Sequence, residues 1–93
     1  QSDDAALGVV EALKAAGSLD EIKVLGVDGN DEALASIKAG EMAMTALQDA
    51  RAQAQAGADI FEQLKNGTEP KDIEDVYIPF QKVTADNVEE YME

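Results

Sequence analysis

The run Ile22-Lys23-Val24-Leu25-Gly26-Val27-Asp28-Gly29-Asn30 constrains the fold more than any other stretch, because it begins apolar and ends in a carboxylate, a glycine and an asparagine. Such a run reads as a buried strand that empties into a polar loop. The apolar and small residues from Ile22 to Val27, two of them β-branched valines, suit a strand covered on both faces, as parallel sheets require. Asp28 then emerges at the carboxyl end. In open α/β sheets that edge is where ligands bind, because loops there surround a crevice and the next helix points its amino end into it.

The flanking segments read as helices and strands in alternation. Ser2-Asp3-Asp4 precedes Leu7, Val10 and Leu13 at spacings of three and four, with Ala6 and Val9 beside them, and Gly17 ends that helix. Helix capping accounts for Asp3 and Asp4; the alternative, metal binding, is weakened because adjacent Asp side chains diverge and the chain has no His. Asn30-Asp31-Glu32 caps a second helix with Leu34 and Ile37 on its inner face and Gly40 at its end. Met42 to Leu47 is expected to be a second strand, whose two methionines at alternating positions share a buried face. Gln48-Asp49 follows it, in the same relation to the sheet as Asp28.

Asp49 can cap a long helix in which Ala50, Ala54, Ala58, Phe61 and Leu64 recur at helical spacing. Asn66-Gly67 stops it; Asn66 and Thr68 also complete a glycosylation tripeptide, a pattern common by chance. Val76 to Phe80 is strand-like, but Pro79 cannot donate to a ladder and belongs at an edge, a bulge or a crossing. Tyr77 and Phe80 read as packing residues on that strand. A short helix from Thr84 or Asp86 through Tyr91 closes the chain, with Asp86 and Glu89 spaced as a capping box. This order predicts an α/β fold: a three-layer parallel sheet with helices on both faces, built from right-handed βαβ units and incomplete as given. Three short parallel strands leave sheet edges and faces unsatisfied, which points to a piece of something larger.

Composition removes whole classes of function. Twenty acidic residues against seven basic give a formal charge of −13, which repels phosphate backbones and anionic membranes alike. No nucleic-acid partner and no direct membrane insertion are expected, and no stretch approaches the roughly 18 apolar residues of a membrane span. With neither Cys nor His, disulfides, thiolate metal sites and His- or Cys-based catalysis are excluded. Neither a metal nor a cofactor is expected.

Four segments carry a resemblance to a known family: Gln1-Ser2-Asp3-Asp4-Ala5-Ala6-Leu7-Gly8, Leu25-Gly26-Val27-Asp28-Gly29, Leu47-Gln48-Asp49-Ala50 and Val76-Tyr77-Ile78-Pro79. In order and separation they resemble the carboxyl-terminal part of type I periplasmic sugar-binding proteins, the ribose- and glucose/galactose-binding members above all. The resemblance implies a two-lobed trap that closes on a monosaccharide, a pentose or a hexose. It places residues 1–47 in the carboxyl-terminal lobe, 48–78 in a crossing and a helix of the amino-terminal lobe, and 79–93 back in the carboxyl-terminal lobe. It also implies, as partners, the rest of the same protein or a companion fragment and the membrane permease of an ABC importer. The location it implies is periplasmic or extracellular, with a lipoprotein anchor if the source is Gram-positive.

The site chemistry can be stated apart from the family. Sugar hydroxyls each donate and accept, so a site needs carboxylates to accept and amides that do both. Asp28 and Gln48 supply these types, and the resemblance implies sugar contact at both and at Ser2. Asp28 could instead accept a loop amide, and Gln48 could instead orient the crossing. Ser2 stands where the family more often has Asn, one donor–acceptor arm fewer. Binding without catalysis is therefore expected. The alternatives are the sugar-responsive effector domain of a lactose-repressor-like regulator and, from another class, an acidic α/β enzyme or a receiver-like domain with Asp28 as phosphoacceptor, although a receiver's lysine is missing after Leu47 and Phe80.

Overall fold

The computed structural model describes residues 2–92, so Gln1, the first residue of the resemblance, lies outside the described residues. Contacts divide them into two units: residues up to Gln48 together with those from Phe80 onward form the first, and Asp49–Pro79 the second.

The first unit begins with α1 (Asp3–Ala16), whose amino end is capped by Ser2 Oγ and whose carboxyl end is closed by Gly17. β1 (Leu25–Asp28), α2 (Asp31–Lys38) and β2 (Met44–Leu47) then form one βαβ unit with β1 and β2 parallel, Leu25 opposite Met44 and Asp28 opposite Leu47. Asn30 caps α2 by accepting from the Ala33 amide. β3 (Gln81–Thr84) follows, and a 3₁₀ turn at Val88–Tyr91 ends the described chain. The sheet order is β1-β2-β3, with Ser2 adding a parallel bridge to Val27 on the outer side of β1.

One face of this sheet holds the core. Gly26, Thr45 and Val83 point toward α1 and α2, where Ala6, Val10, Ala33, Leu34 and Ile37 are buried together with Val24, Met42 and Val88. Small side chains dominate, so the α1 backbone approaches β1 closely. Residues of the opposite pleat, Leu25, Val27, Met44 and Ala46, range from half-buried to exposed, with Leu25 at 54%. Lys14 ties α1 to the loop before β2 through Glu41 at 2.9 Å. The Glu41 hydrogen bond, and then the charges of Glu11 and Glu41, hold its ammonium above the usual lysine range. No helix of the described residues is long and apolar enough to cross a membrane.

The second unit contains α3 (Ala50–Lys65), capped by the Asp49 carboxylate on the Ala52 amide and ended by Asn66, and a 3₁₀ turn at Pro70–Asp72. The helix stop at Asn66-Gly67 is realised as expected.

Several local expectations are corrected. β1 starts at Leu25 rather than Ile22 and is not covered on both faces: Ile22 is 49% exposed, and pairing reaches back only to the Val24 carbonyl, which accepts from the Ala43 amide. Met42 and Met44 do not share a face, because Met42 precedes the strand and packs near Gly26 while Met44 lies on the opposite pleat. The third strand is Gln81–Thr84, antiparallel to β2, so the sheet is mixed rather than parallel. Pro79 keeps Val76–Phe80 out of the ladder, and Tyr77, 88% exposed, does not pack. The last turn is 3₁₀, and Asn87 rather than Asp86 organises it, accepting from the Thr84 amide and donating to the Lys82 carbonyl. In α3 no residue is buried; Ala52, Ala56 and Ile60 are half-buried, whereas Phe61 is 69% exposed.

Candidate functional site

The two parallel strands end side by side, and their carboxyl ends carry the candidate residues. Asp28 is the last residue of β1 and Gln48 the first after β2. The main chains join them, since the Gln48 amide donates to the Asp28 carbonyl at 3.0 Å. The side chains join as well, with Gln48 Nε2 donating to Asp28 Oδ1 at 2.9 Å. This leaves the second carboxylate oxygen of Asp28 and the amide oxygen of Gln48 available as acceptors. Asp28 is exposed and Gln48 half-buried, so both remain within reach of a solute.

Asp28 also carries the backbone outlier of the chain. Its φ is +136°, and it is the non-glycine residue with positive φ among those described. A side chain held there costs about 1–3 kcal/mol, a cost that persists in proteins mainly at sites where the side chain is needed. The next residue, Gly29, has φ +83° and lies against the Leu47 side chain, which a Cβ would meet at 2.7–2.9 Å. The strand therefore ends abruptly, and α2 departs at once.

Ser2 reaches the same edge from a different direction. Its backbone bridges Val27, the residue before Asp28, while its Oγ faces the Ala5 amide at 3.5 Å as the cap of α1. The fold thus brings all three candidate residues to the carboxyl ends of the parallel strands, with Asp28 and Gln48 in direct contact and Ser2 committed locally to its helix.

A family model described as "Periplasmic binding protein domain" matches residues 1–69. The chain belongs to this periplasmic binding protein family. It is 38% identical over 91 residues to a putative rhizopine-binding protein of Rhizobium meliloti, covering 97% of this chain and 29% of that relative. A xylitol-binding protein of Mycolicibacterium smegmatis is 34% identical over 89 residues, covering 96% of this chain and 25% of the relative. Among solved structures, an ABC transporter solute-binding protein from Bacillus halodurans with bound myo-inositol matches with a TM-score of 0.85 at 42% identity, over 97% of this chain and 30% of that one. The chain spans less than a third of the length of these relatives. The α/β fold of a type I periplasmic binding protein, expected from the sequence, is the fold found.

One residue of this periplasmic binding protein chain escaped sequence reasoning. Asp3 is not a cap of its own helix but a fully buried carboxylate beneath the site. Its Oδ2 accepts from the Gly29 amide at 2.7 Å and the Asn30 amide at 2.8 Å, and its Oδ1 from Thr45 Oγ1 at 2.6 Å. Nothing local marks it, since an Asp one residue after the cap is ordinary at any helix start. The distant signal is Gly26, where any Cβ would collide with Asp3 Oδ1. Asp4, by contrast, stays exposed and accepts a 3.3 Å bond from Asn30 Nδ2.

Proposed function

We propose that these residues form the carboxyl-terminal part of the solute-binding component of an ABC-type importer for neutral sugars or polyols. On this reading the Asp28 carboxylate accepts from ligand hydroxyls and the Gln48 amide both donates and accepts. The observation that carries it is the paired Asp28–Gln48 arrangement at the strand ends, with Asp28 kept in a strained backbone conformation. The bound myo-inositol of the Bacillus halodurans structure, and the ligands named for the rhizopine- and xylitol-binding relatives, support a polyol as readily as a pentose or hexose. A net charge of −13 and a carboxylate at the site disfavour phosphorylated sugars.

The partition of contacts at Gln48/Asp49 and at Pro79/Phe80 supports assigning residues 1–47 and 79–93 to the carboxyl-terminal lobe and 48–78 to a crossing and a helix of the other lobe. The family supports a periplasmic or extracellular location and a membrane permease as partner. Ser2 contributes through the start of α1 and, on its exposed side, through a hydroxyl near the ligand. The test is calorimetric titration of the complete protein with myo-inositol, xylitol, D-ribose and D-glucose. At least one is expected to bind, and Asp28→Ala is expected to weaken it about 10- to 100-fold, the loss of one or two hydrogen bonds to a charged acceptor. No binding across the panel, or unchanged affinity in Asp28→Ala, overturns the reading.

A further inference from the structure

We infer that Asp3, which touches no ligand on the reading above and lies wholly beneath the site, is the positioning residue that holds Asp28 in its binding conformation. The inference rests on that reading of Asp28 as a ligand contact.

The argument starts from the backbone. Asp28, at φ +136°, would relax to an ordinary conformation unless the residues after it were fixed. Those residues are Gly29 and Asn30, and the amides of both are held by one oxygen, Asp3 Oδ2, at 2.7 and 2.8 Å. Charge-assisted bonds of this kind are the stronger class, and burial removes the water that would compete for them. The other oxygen is fixed by Thr45 Oγ1 on β2, the strand that leads to Gln48. One carboxylate therefore references the loop after β1 to the neighbouring strand, and so sets where the two ligand-facing side chains stand relative to each other.

Its own position is fixed by its helix and by the sheet. Asp3 opens α1, whose first turn is tied down by Ser2, and it fits against β1 because position 26 has no side chain. Removing the carboxylate leaves two amides unpaired and frees Asp28 to relax, so the cost falls on affinity as well as on stability. An amide in its place keeps the two bonds that hold the loop, its oxygen accepting both backbone donors, while the bond to Thr45 reverses, the NH₂ donating to Thr45 Oγ1.

The test uses the complete protein, with whichever solute of the panel binds the wild type as the probe. Asp3→Ala is expected to weaken binding at least 10-fold at a temperature where it remains folded, and Asp3→Asn to recover affinity to within about 3-fold of wild type. Val10→Ala, which removes buried volume on the same face of α1, is expected to lower the melting temperature with affinity unchanged. In a double-mutant cycle, Asp3→Ala is expected to cost little further affinity once Asp28 is Ala, because Asp3 acts through the Asp28 side chain. Additive losses, or Asp3→Ala binding within 2-fold of wild type while Asp28→Ala binds poorly, overturn the inference and leave the Asp28 reading standing. If Asp28→Ala itself binds normally, the parent reading falls and this one with it. Should Asp3→Ala not fold, Thr45→Val decides: an affinity loss of at least 3-fold supports the inference, and unchanged affinity overturns it.

Discussion

At Asp28 the proposed function and stability pull apart at a single residue. Its φ of +136° suits glycine and strains any residue with a Cβ. Asp28→Gly is therefore expected to leave the protein as stable as the wild type or more so, by about 1 kcal/mol once the greater freedom of glycine in the unfolded chain is subtracted. Binding should be lost in the same variant, and thermal denaturation beside titration checks both halves. Gly26 makes the opposite case. Alanine there meets Asp3 Oδ1 and lies 2.9 Å from the Met42 methyl, so Gly26→Ala is expected to destabilise by about 1–3 kcal/mol in denaturant titrations. At this scale the sequence was legible where chemistry is local. Asp28 and Gln48 follow strands and were placed by position, and the structure joins them. Asp3 was not legible, because its role depends on a loop 26 residues away folding back onto it.

Helices proved easier to read than strands, for a physical reason. Caps are local: Ser2, Asn30 and Asp49 each accept from an amide three residues on. Asn30 and Asp49 are legible as caps ahead of a periodic run, whereas the first cap, expected of Asp3 and Asp4, falls one residue earlier on Ser2. Strand limits depend on partners the sequence does not display. β2 pairs with Gln81–Thr84 rather than with Val76–Phe80, because Pro79 lacks the amide a ladder needs and the pairing begins just past it. Element order implies a parallel direction, but a segment following α3 is free to run either way, and β3 runs antiparallel to β2. The packed face of α2 offers a prediction at this scale. Ser36 is buried beside Ile37, and its hydroxyl has no hydrogen-bond partner among the described residues. Alanine removes that unsatisfied group and favours the helix, so Ser36→Ala is expected to raise stability by about 1 kcal/mol in thermal or chemical denaturation. A loss of stability would mean that the hydroxyl is satisfied in solution.

At the scale of the whole molecule, the question is how much of a binding protein these residues amount to. The first unit has a continuous core, yet Leu25, Val27, Met44 and Ala46 leave the second face of its sheet only partly covered, and the chain spans less than a third of its relatives. The candidate site has the same one-sided character: Asp28 and Gln48 offer a few hydrogen bonds, and neither side chain is enclosed. Hydrogen bonds to a charged group contribute about 1.5–3 kcal/mol each. Association costs a ligand at least about 4 kcal/mol in lost freedom. For two such bonds, about 3–6 kcal/mol together, the balance falls short of the roughly 4 kcal/mol that a millimolar complex requires. The 93 residues on their own are therefore expected to give no resolvable heat with myo-inositol or D-ribose at submillimolar concentrations, whereas the proposed function expects the complete protein to bind one of the panel. Micromolar affinity in the isolated residues would show instead that Asp28, Gln48 and their immediate neighbours suffice to enclose a sugar without a second lobe.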